Sequence, residues 1–302
     1  MQDESVVVAG AGLAGLVTAR RLAAADIDVT VYERRDEVGG RVRTERRDGY
    51  RLDRGFQVLF TAYPMVQAEL DLDALDLRRF KPGATIARAG NRSVLSDPLR
   101  DLGALLPSVK NDEVTTSDKL RTLALRQHVT AKREDEFFAG RDTSIREYLK
   151  EWGFSRKYVE NFVAPFYGGI TLDRSLSTSK HAFEYTFRAL SEGSIAVPAE
   201  GMQAIPEQLA DHAREAGAEI RLGEPVEDVA DDGDGVTVTT SEETVAADAV
   251  VVAADPKRAK ELTDVDAIPT DARSCVTQHY RLPAGEAPET GKRLLLNAGD
   301  ES

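Results

Sequence analysis

Ser5-Val6-Val7-Val8-Ala9-Gly10-Ala11-Gly12-Leu13-Ala14-Gly15 is the stretch that decides the fold. Five apolar or small residues rich in valine predict a buried parallel strand. The glycine-rich turn follows at once, and Leu16 to Ala25 predicts a helix. A second strand, Asp28-Val29-Thr30-Val31-Tyr32, delivers Glu33 at its end. This order suits a dinucleotide-binding βαβ unit. Gly10 permits the tight turn, Gly12 lets the backbone approach a pyrophosphate, and Gly15 lets helix and strand pack closely. Leu13 and Ala14, within the turn, are candidate cofactor contacts, and the helix N-terminus faces the phosphates. Glu33 stands close to the offset of about 20 residues at which a carboxylate accepts hydrogen bonds from a ribose.

Beyond Glu33 the chain runs Arg34-Arg35-Asp36-Glu37-Val38-Gly39-Gly40-Arg41. Gly39 and Gly40 permit another close backbone approach, and Arg41 suits either a phosphate or a solvated surface. Glu33 followed by Gly39-Gly40-Arg41 resembles the extended FAD fingerprint of the flavoprotein superfamily of monoamine oxidases, protoporphyrinogen oxidases and phytoene desaturases. The resemblance implies FAD as cofactor, with Arg34 beside the acidic residue. It makes Gly55, Phe56 and Gln57, in Asp53-Arg54-Gly55-Phe56-Gln57, the next cofactor-facing segment. Pro198 to Met202 is similar to the family's Pro-x-Gly-Gly-Met turn, with Glu200 in place of the first glycine. By the same resemblance Val226 offers its backbone to the adenine. Ala247 to Ala254, including Ala253, is the strand returning to the cofactor's sheet. Its apolar run predicts a central parallel strand. Val226 and Val252 equally suit core packing.

The resemblance implies an α/β fold: a Rossmann-like FAD-binding domain, discontinuous over 1–60 and 195–260, and a mixed sheet-plus-helical substrate domain over 61–194 and 261–302. Gln203 to Gly217 predicts an amphipathic helix, Glu219 to Leu222 a strand, and Val236 to Val245 a hairpin. In the substrate region Tyr63 to Leu77 predicts a helix, and Ala84 to Leu95 a hairpin turning at Gly90-Asn91. Most of Leu99 to Leu190 is helical in pattern, with Lys119 to Phe138, Ile145 to Trp152 and Lys157 to Phe162 showing spaced apolar positions. Phe162, Phe166 and Tyr167 suit an apolar substrate tunnel or a helix-packing core. Val276 to Leu282 and Arg293 to Asn297 look like substrate-domain strands. Ala298-Gly299-Asp300 imitates the start of the family's closing motif without the helix that should follow. The chain therefore reads as C-terminally truncated, with the adenine half of the site complete and the flavin half not.

Composition narrows the partners. A net charge of −13 argues against nucleic acid and anionic membrane surfaces. No run reaches the ~20 apolar residues of a membrane span, and Asp3 and Glu4 stand where a signal peptide would be basic, so a cytoplasmic location is expected. Ten lysines against 29 arginines, with this acidic surplus, suggest a halophilic protein. Cys275 is the single cysteine, excluding an internal disulfide, and reads as a buried strand residue. The four histidines, His128, His181, His212 and His279, lack metal-ligand spacing. No side chain announces itself as an acid, base or nucleophile, so catalytic residues stay unassigned, as befits flavin chemistry. The expected reaction is FAD-dependent dehydrogenation of a C–C or C–N bond of an apolar small molecule, with the electron acceptor open. A nicotinamide-dependent dehydrogenase and a non-catalytic binding protein like the Rab GDP-dissociation inhibitors are the alternatives.

Overall fold

The computed structural model describes residues 4–88, 90–95, 115–283, 285–286 and 289–299. The expected helical pattern over 99–114 and the Asp300 end of the Ala-Gly-Asp turn lie outside them. Two compact units emerge, one of Met1–Val58, Gln67–Leu77 and Val197–His279, the other of Leu59–Val66, Arg78–Ala196 and Tyr280–Ser302.

The first unit is built on strand β1 (Ser5–Ala9), helix α1 (Leu13–Ala23) and strand β2 (Asp28–Glu33). After β2 come a short antiparallel hairpin, β3 (Thr44–Arg47) with β4 (Tyr50–Asp53), and much later helix α2 (Ala204–Glu215). Then follow β5 (Glu219–Leu222), β6 (Val226–Asp231), β7 (Val236–Thr240), β8 (Thr244–Ala247), β9 (Ala249–Val252) and helix α3 (Pro256–Thr263). A four-stranded parallel sheet runs β5-β2-β1-β9. Side chains alternate across a strand. Val7 and Ala9 of β1 thus enter a cluster with Tyr32, Val226, Val238 and Leu262. That cluster joins the sheet to the antiparallel meander β6-β7-β8 and to α3. Helices α1 and α2 pack on each other. Val8, Val29, Val31 and Leu16 are fully buried, and each such side chain stabilises the unit by ~1.5–3 kcal/mol.

Four expectations differ from the described structure. Among the described residues the Ala247–Ala254 run is the outermost strand of the sheet, beside β1, and Val250 to Val252 are only half-buried. An apolar run reports burial of two faces, and the meander covers one of them, with no further strand alongside among the described residues. The predicted helix over Tyr63–Leu77 is confined to Pro64–Glu69. Asp71 Oδ1 accepts from the amides of Asp73 and Ala74 and turns the chain instead, and Asp76 adopts a positive φ. Cys275 is exposed, and Val276 to Leu282 forms no strand; Val276 and Tyr280 face solvent. Their β-branched and aromatic character found no sheet to join.

The unit's extent also departs from the sequence boundaries. Residues 67–77 belong to it because Glu69, itself buried, pairs with Arg20 and Arg21 of α1 at 2.6 Å each. The chain beyond residue 260 stays with it because Leu262 is part of the Val7–Val226 cluster.

In the second unit Ala84–Arg88 pairs antiparallel with Asn91–Leu95 around Gly90 (φ +73°) and parallel with Leu294–Asn297. Helices Thr116–Thr130, Ile145–Glu151 and Lys180–Glu192 surround a core that includes Leu125, Val129, Phe137, Ile145, Leu149 and Phe183. The Lys119–Phe138 prediction overran: the helix ends at Thr130 and a separate short turn covers Glu134–Glu136. From Arg156 to Thr171 the chain is helical throughout, through a widened turn at Val159–Val163. Phe162 stacks on Phe166, and Tyr167 packs against Phe183. Tyr167 is buried in that core, and Phe162 and Phe166, half-buried, pack against it.

Candidate dinucleotide site

The C-terminal ends of β1, β2 and β9 converge on one cavity of about 820 Å³, inside the range of small-molecule sites. It opens at the carboxyl ends of the parallel strands, the side on which such sheets bind ligands. Glycine makes this convergence possible. A Cβ on Gly10 (φ +114°) would come within 3.0 Å of the Ala253 carbonyl oxygen, so β1 and β9 close on one another only with glycine there. A Cβ on Gly15 would sit 1.9 Å from the Gly10 carbonyl oxygen, which is how α1 comes to start directly behind the turn. Gly12 differs: nothing lies within 4 Å of where its Cβ would be. The space above Gly12 is the cavity.

Donors and charges line that space. Gly12 is the N-cap of α1, and no side chain caps the first-turn amides, which leaves the positive end of the helix dipole to the cavity. Glu33 ends β2 and is buried. Its Oε2 accepts from the Ala11 amide at 2.8 Å and its Oε1 from the Arg35 amide at 3.1 Å. Two backbone donors fix the carboxylate, and each oxygen retains a lone pair for a further donor. The Gly39 amide donates to the Ala11 carbonyl at 2.8 Å, drawing Gly39–Gly40 over the first turn. Gly39 (φ +115°) meets Pro206 of α2, and Gly40 (φ +59°) faces the Gly12 Cα. Gln203 at the start of α2 donates to the Val38 carbonyl at 2.8 Å and holds this second loop from behind.

The structure brings Gly10, Gly12, Leu13, Ala14, Glu33, Arg34, Gly39, Gly40, Arg41, Val226 and Ala253 together around the cavity. Gly15 lies beneath it as a packing glycine. Gly55, Phe56 and Gln57 do not line it. Gln57 reaches its rim indirectly, donating to the Arg41 carbonyl at 3.1 Å, and Phe56 is exposed. Sequence reasoning missed Tyr32, Pro225, Glu227, Asp255 and Arg258 in the lining. A signal for Asp255 was present: Asp255-Pro256 directly after an apolar strand announces a helix start. Asp255 is indeed the N-cap of α3. Tyr32 donates to Glu243 Oε1 at 2.9 Å, and burial together with that carboxylate pushes its phenol up to about 12. Four arginines, Arg34, Arg35, Arg41 and Arg258, share the cavity with three carboxylates, Glu33, Glu227 and Asp255. In a chain of net charge −13 this local balance favours an anion.

These residues fit the ADP portion of a dinucleotide. There is an uncapped helix end and empty space above Gly12 for the pyrophosphate, and a fixed carboxylate for the ribose. Val226 and Leu262 give an apolar wall for the base. Among the described residues no cluster of His, Cys, Asp and Glu could hold a metal ion, and no helix is long and apolar enough to cross a membrane.

Comparison with known proteins agrees with this geometry. Residues 13–282 match the family described as flavin containing amine oxidoreductase. Over 285 residues the chain is 30% identical to the phytoene dehydrogenase of Streptomyces griseus, covering 83% of this chain and 54% of that protein. The chain thus spans about half the length of the curated relatives it matches. Among solved structures, cyclohexylamine oxidase from Brevibacterium oxydans aligns with a TM-score of 0.58 at 21% identity, over 86% of this chain and 59% of that one. A Rab GDI from Plasmodium falciparum aligns with a TM-score of 0.55 at 14% identity, over 87% and 68%. Both likenesses concern the fold alone.

Proposed function

The chain belongs to the flavin containing amine oxidoreductase family, whose cofactor is FAD, and from that membership we propose that the glycine-lined cavity holds the ADP end of FAD. The whole protein then works as an oxidoreductase, dehydrogenating a C–C or C–N bond of a large apolar substrate. The observation that carries the proposal is the pairing of a buried, doubly anchored Glu33 with the open space over Gly12 and the uncapped start of α1. Support for an apolar substrate comes from the likeness to a phytoene dehydrogenase.

When bound, the flavin supplies the hydride acceptor. The chain's own residues bind and orient it. Glu33 accepts hydrogen bonds from ribose hydroxyls with the lone pairs its two amides leave free. The first-turn amides of α1 and the second glycine loop take the pyrophosphate, and Arg34 and Arg41 neutralise its charge. Gly55, Phe56 and Gln57 stand next along the chain towards the flavin end, Gln57 tying that segment to Arg41. No described side chain needs to act as acid or base in this scheme. The cytoplasmic, high-salt setting suggested by the charge balance belongs to the same proposal.

The test is the absorption spectrum of natively purified protein, followed by identification of the nucleotide released on denaturation. A flavin spectrum with FAD released supports the proposal. A colourless protein that releases a nicotinamide nucleotide favours the dehydrogenase alternative. A colourless protein that does not take up added FAD favours a binding protein on this scaffold.

A further inference from the structure

Arg258 touches three groups at once, and none of them is on its own side of the cavity except Glu261. Its Nη2 donates to the carbonyls of Val226 at 2.9 Å and Glu227 at 2.8 Å, and its Nη1 pairs with Glu261 Oε2 at 2.9 Å. Those two carbonyls sit where the β6–β7 ladder breaks register, between Val226 and Asp228. A bulge leaves backbone groups out of the ladder and re-aims the strand. The walls that Arg258 joins are the Ala253–Asp255 end of β9 and the Pro225–Glu227 start of β6, both lining the cavity. The planar guanidinium gives Nη2 to both carbonyls while Nη1 meets Glu261, a fixed division that a single lysine ammonium does not reproduce. Glu261, one turn along α3, holds the guanidinium in that orientation.

We propose that Arg258 is a positioning residue for the adenine end of the site: it holds the Val226–Glu227 bulge in the conformation that meets the base. The inference rests on the reading of the cavity as an ADP site. It assigns to one side chain the distance between the two walls. The Val226 and Glu227 carbonyls lose their donor when Arg258 is removed, and the bulge is then free to move.

The test uses the flavin-free chain, with ADP and inorganic pyrophosphate as probes, measured by calorimetry, and amide hydrogen exchange of Val226–Asp228. Arg258→Met should weaken ADP binding by about 10-fold or more, the effect of losing a hydrogen bond to a group that stays buried. Pyrophosphate affinity should stay unchanged, and exchange at the bulge should quicken. Arg258→Lys, reaching one carbonyl, should fall between Met and wild type. Glu261→Gln, which leaves the carbonyls paired, should cost about 2- to 3-fold. ADP and pyrophosphate weakening in equal proportion would mean general loosening and would overturn the inference, as would unchanged ADP affinity in Arg258→Met. If wild type binds neither ADP nor FAD, the reading of the cavity fails and the inference with it. Wild-type binding of both ligands with an indifferent Arg258→Met sinks only the inference.

Discussion

Gly12→Ala and Gly15→Ala add the same methyl group three residues apart, and the structure expects opposite consequences. Gly12 has an extended backbone (φ −75°, ψ 176°) that alanine adopts freely, and its added Cβ meets nothing within 4 Å. The variant should fold as well as wild type, or gain the ~0.4–1 kcal/mol that alanine contributes by restricting the unfolded chain. Its methyl nevertheless occupies the space assigned to the pyrophosphate. A phosphate pushed off the first-turn amides forfeits at least one charge-assisted hydrogen bond, ~1.5–3 kcal/mol, or roughly 10- to 150-fold in FAD affinity. At Gly15 the new Cβ would sit 1.9 Å from the Gly10 carbonyl oxygen, where real contacts begin at 3.0 Å. Helix α1 must shift away from the turn, at a cost of about 1–3 kcal/mol. That lowers the melting midpoint by ~2–4 °C per kcal/mol and disturbs the site as well. Thermal melts of both flavin-free variants beside FAD titrations separate the cases. Wild-type affinity in Gly12→Ala, or equal destabilisation by both substitutions, would refute the reasoning.

Glu33→Gln can accept only one of the two amide hydrogen bonds from Ala11 and Arg35, since its NH2 group must face the other donor. The expected result is a loss of FAD affinity of about 10- to 150-fold with the fold retained, read by calorimetry and circular dichroism; unchanged affinity removes Glu33 from the site. Tyr32 should ionise late. Its folded pKa, about 12, lies above the ordinary value of 10.0, so the stability it contributes is complete below pH 10 and is lost as pH rises through 12. Ultraviolet titration of wild type against Tyr32→Phe checks this: the variant should lack one late-ionising phenol. The halophile proposal expects secondary structure to persist or increase at molar salt, where screening removes the repulsion of a −13 chain. Loss of the circular dichroism signal at molar salt, with full folding in dilute buffer, contradicts it.

The part of the site that sequence made legible is the part built from local constraints. Gly10, Gly12 and Gly15 announce themselves because a turn and a helix start need them within six residues. Glu33 follows because a strand of fixed length must end there. What escaped depends on pairing across distance. The apolar run at Ala249–Val252 fixes a strand but not its place, since one covering layer and an edge position produce the same pattern as a central strand. Cys275 and Val276 have strand-forming side chains, yet no partner strand among the described residues takes them up. Asp255-Pro256 announces the helix that carries Arg258, but nothing announces what Arg258 does. Its role arises from a bulge 32 residues earlier in the chain, and a one-residue break in register leaves no mark on the hydrophobic alternation.

The cavity's identity as the ADP site of FAD is tested most directly by titrating the flavin-free chain with FAD in a calorimeter, alone and in the presence of ADP. A single saturable site per chain is expected, with ADP competing for it, because Glu33, the Gly12 turn and the Val226 wall contact only what the two ligands share. No saturable binding, or FAD binding that ADP leaves undisturbed, would contradict the assignment.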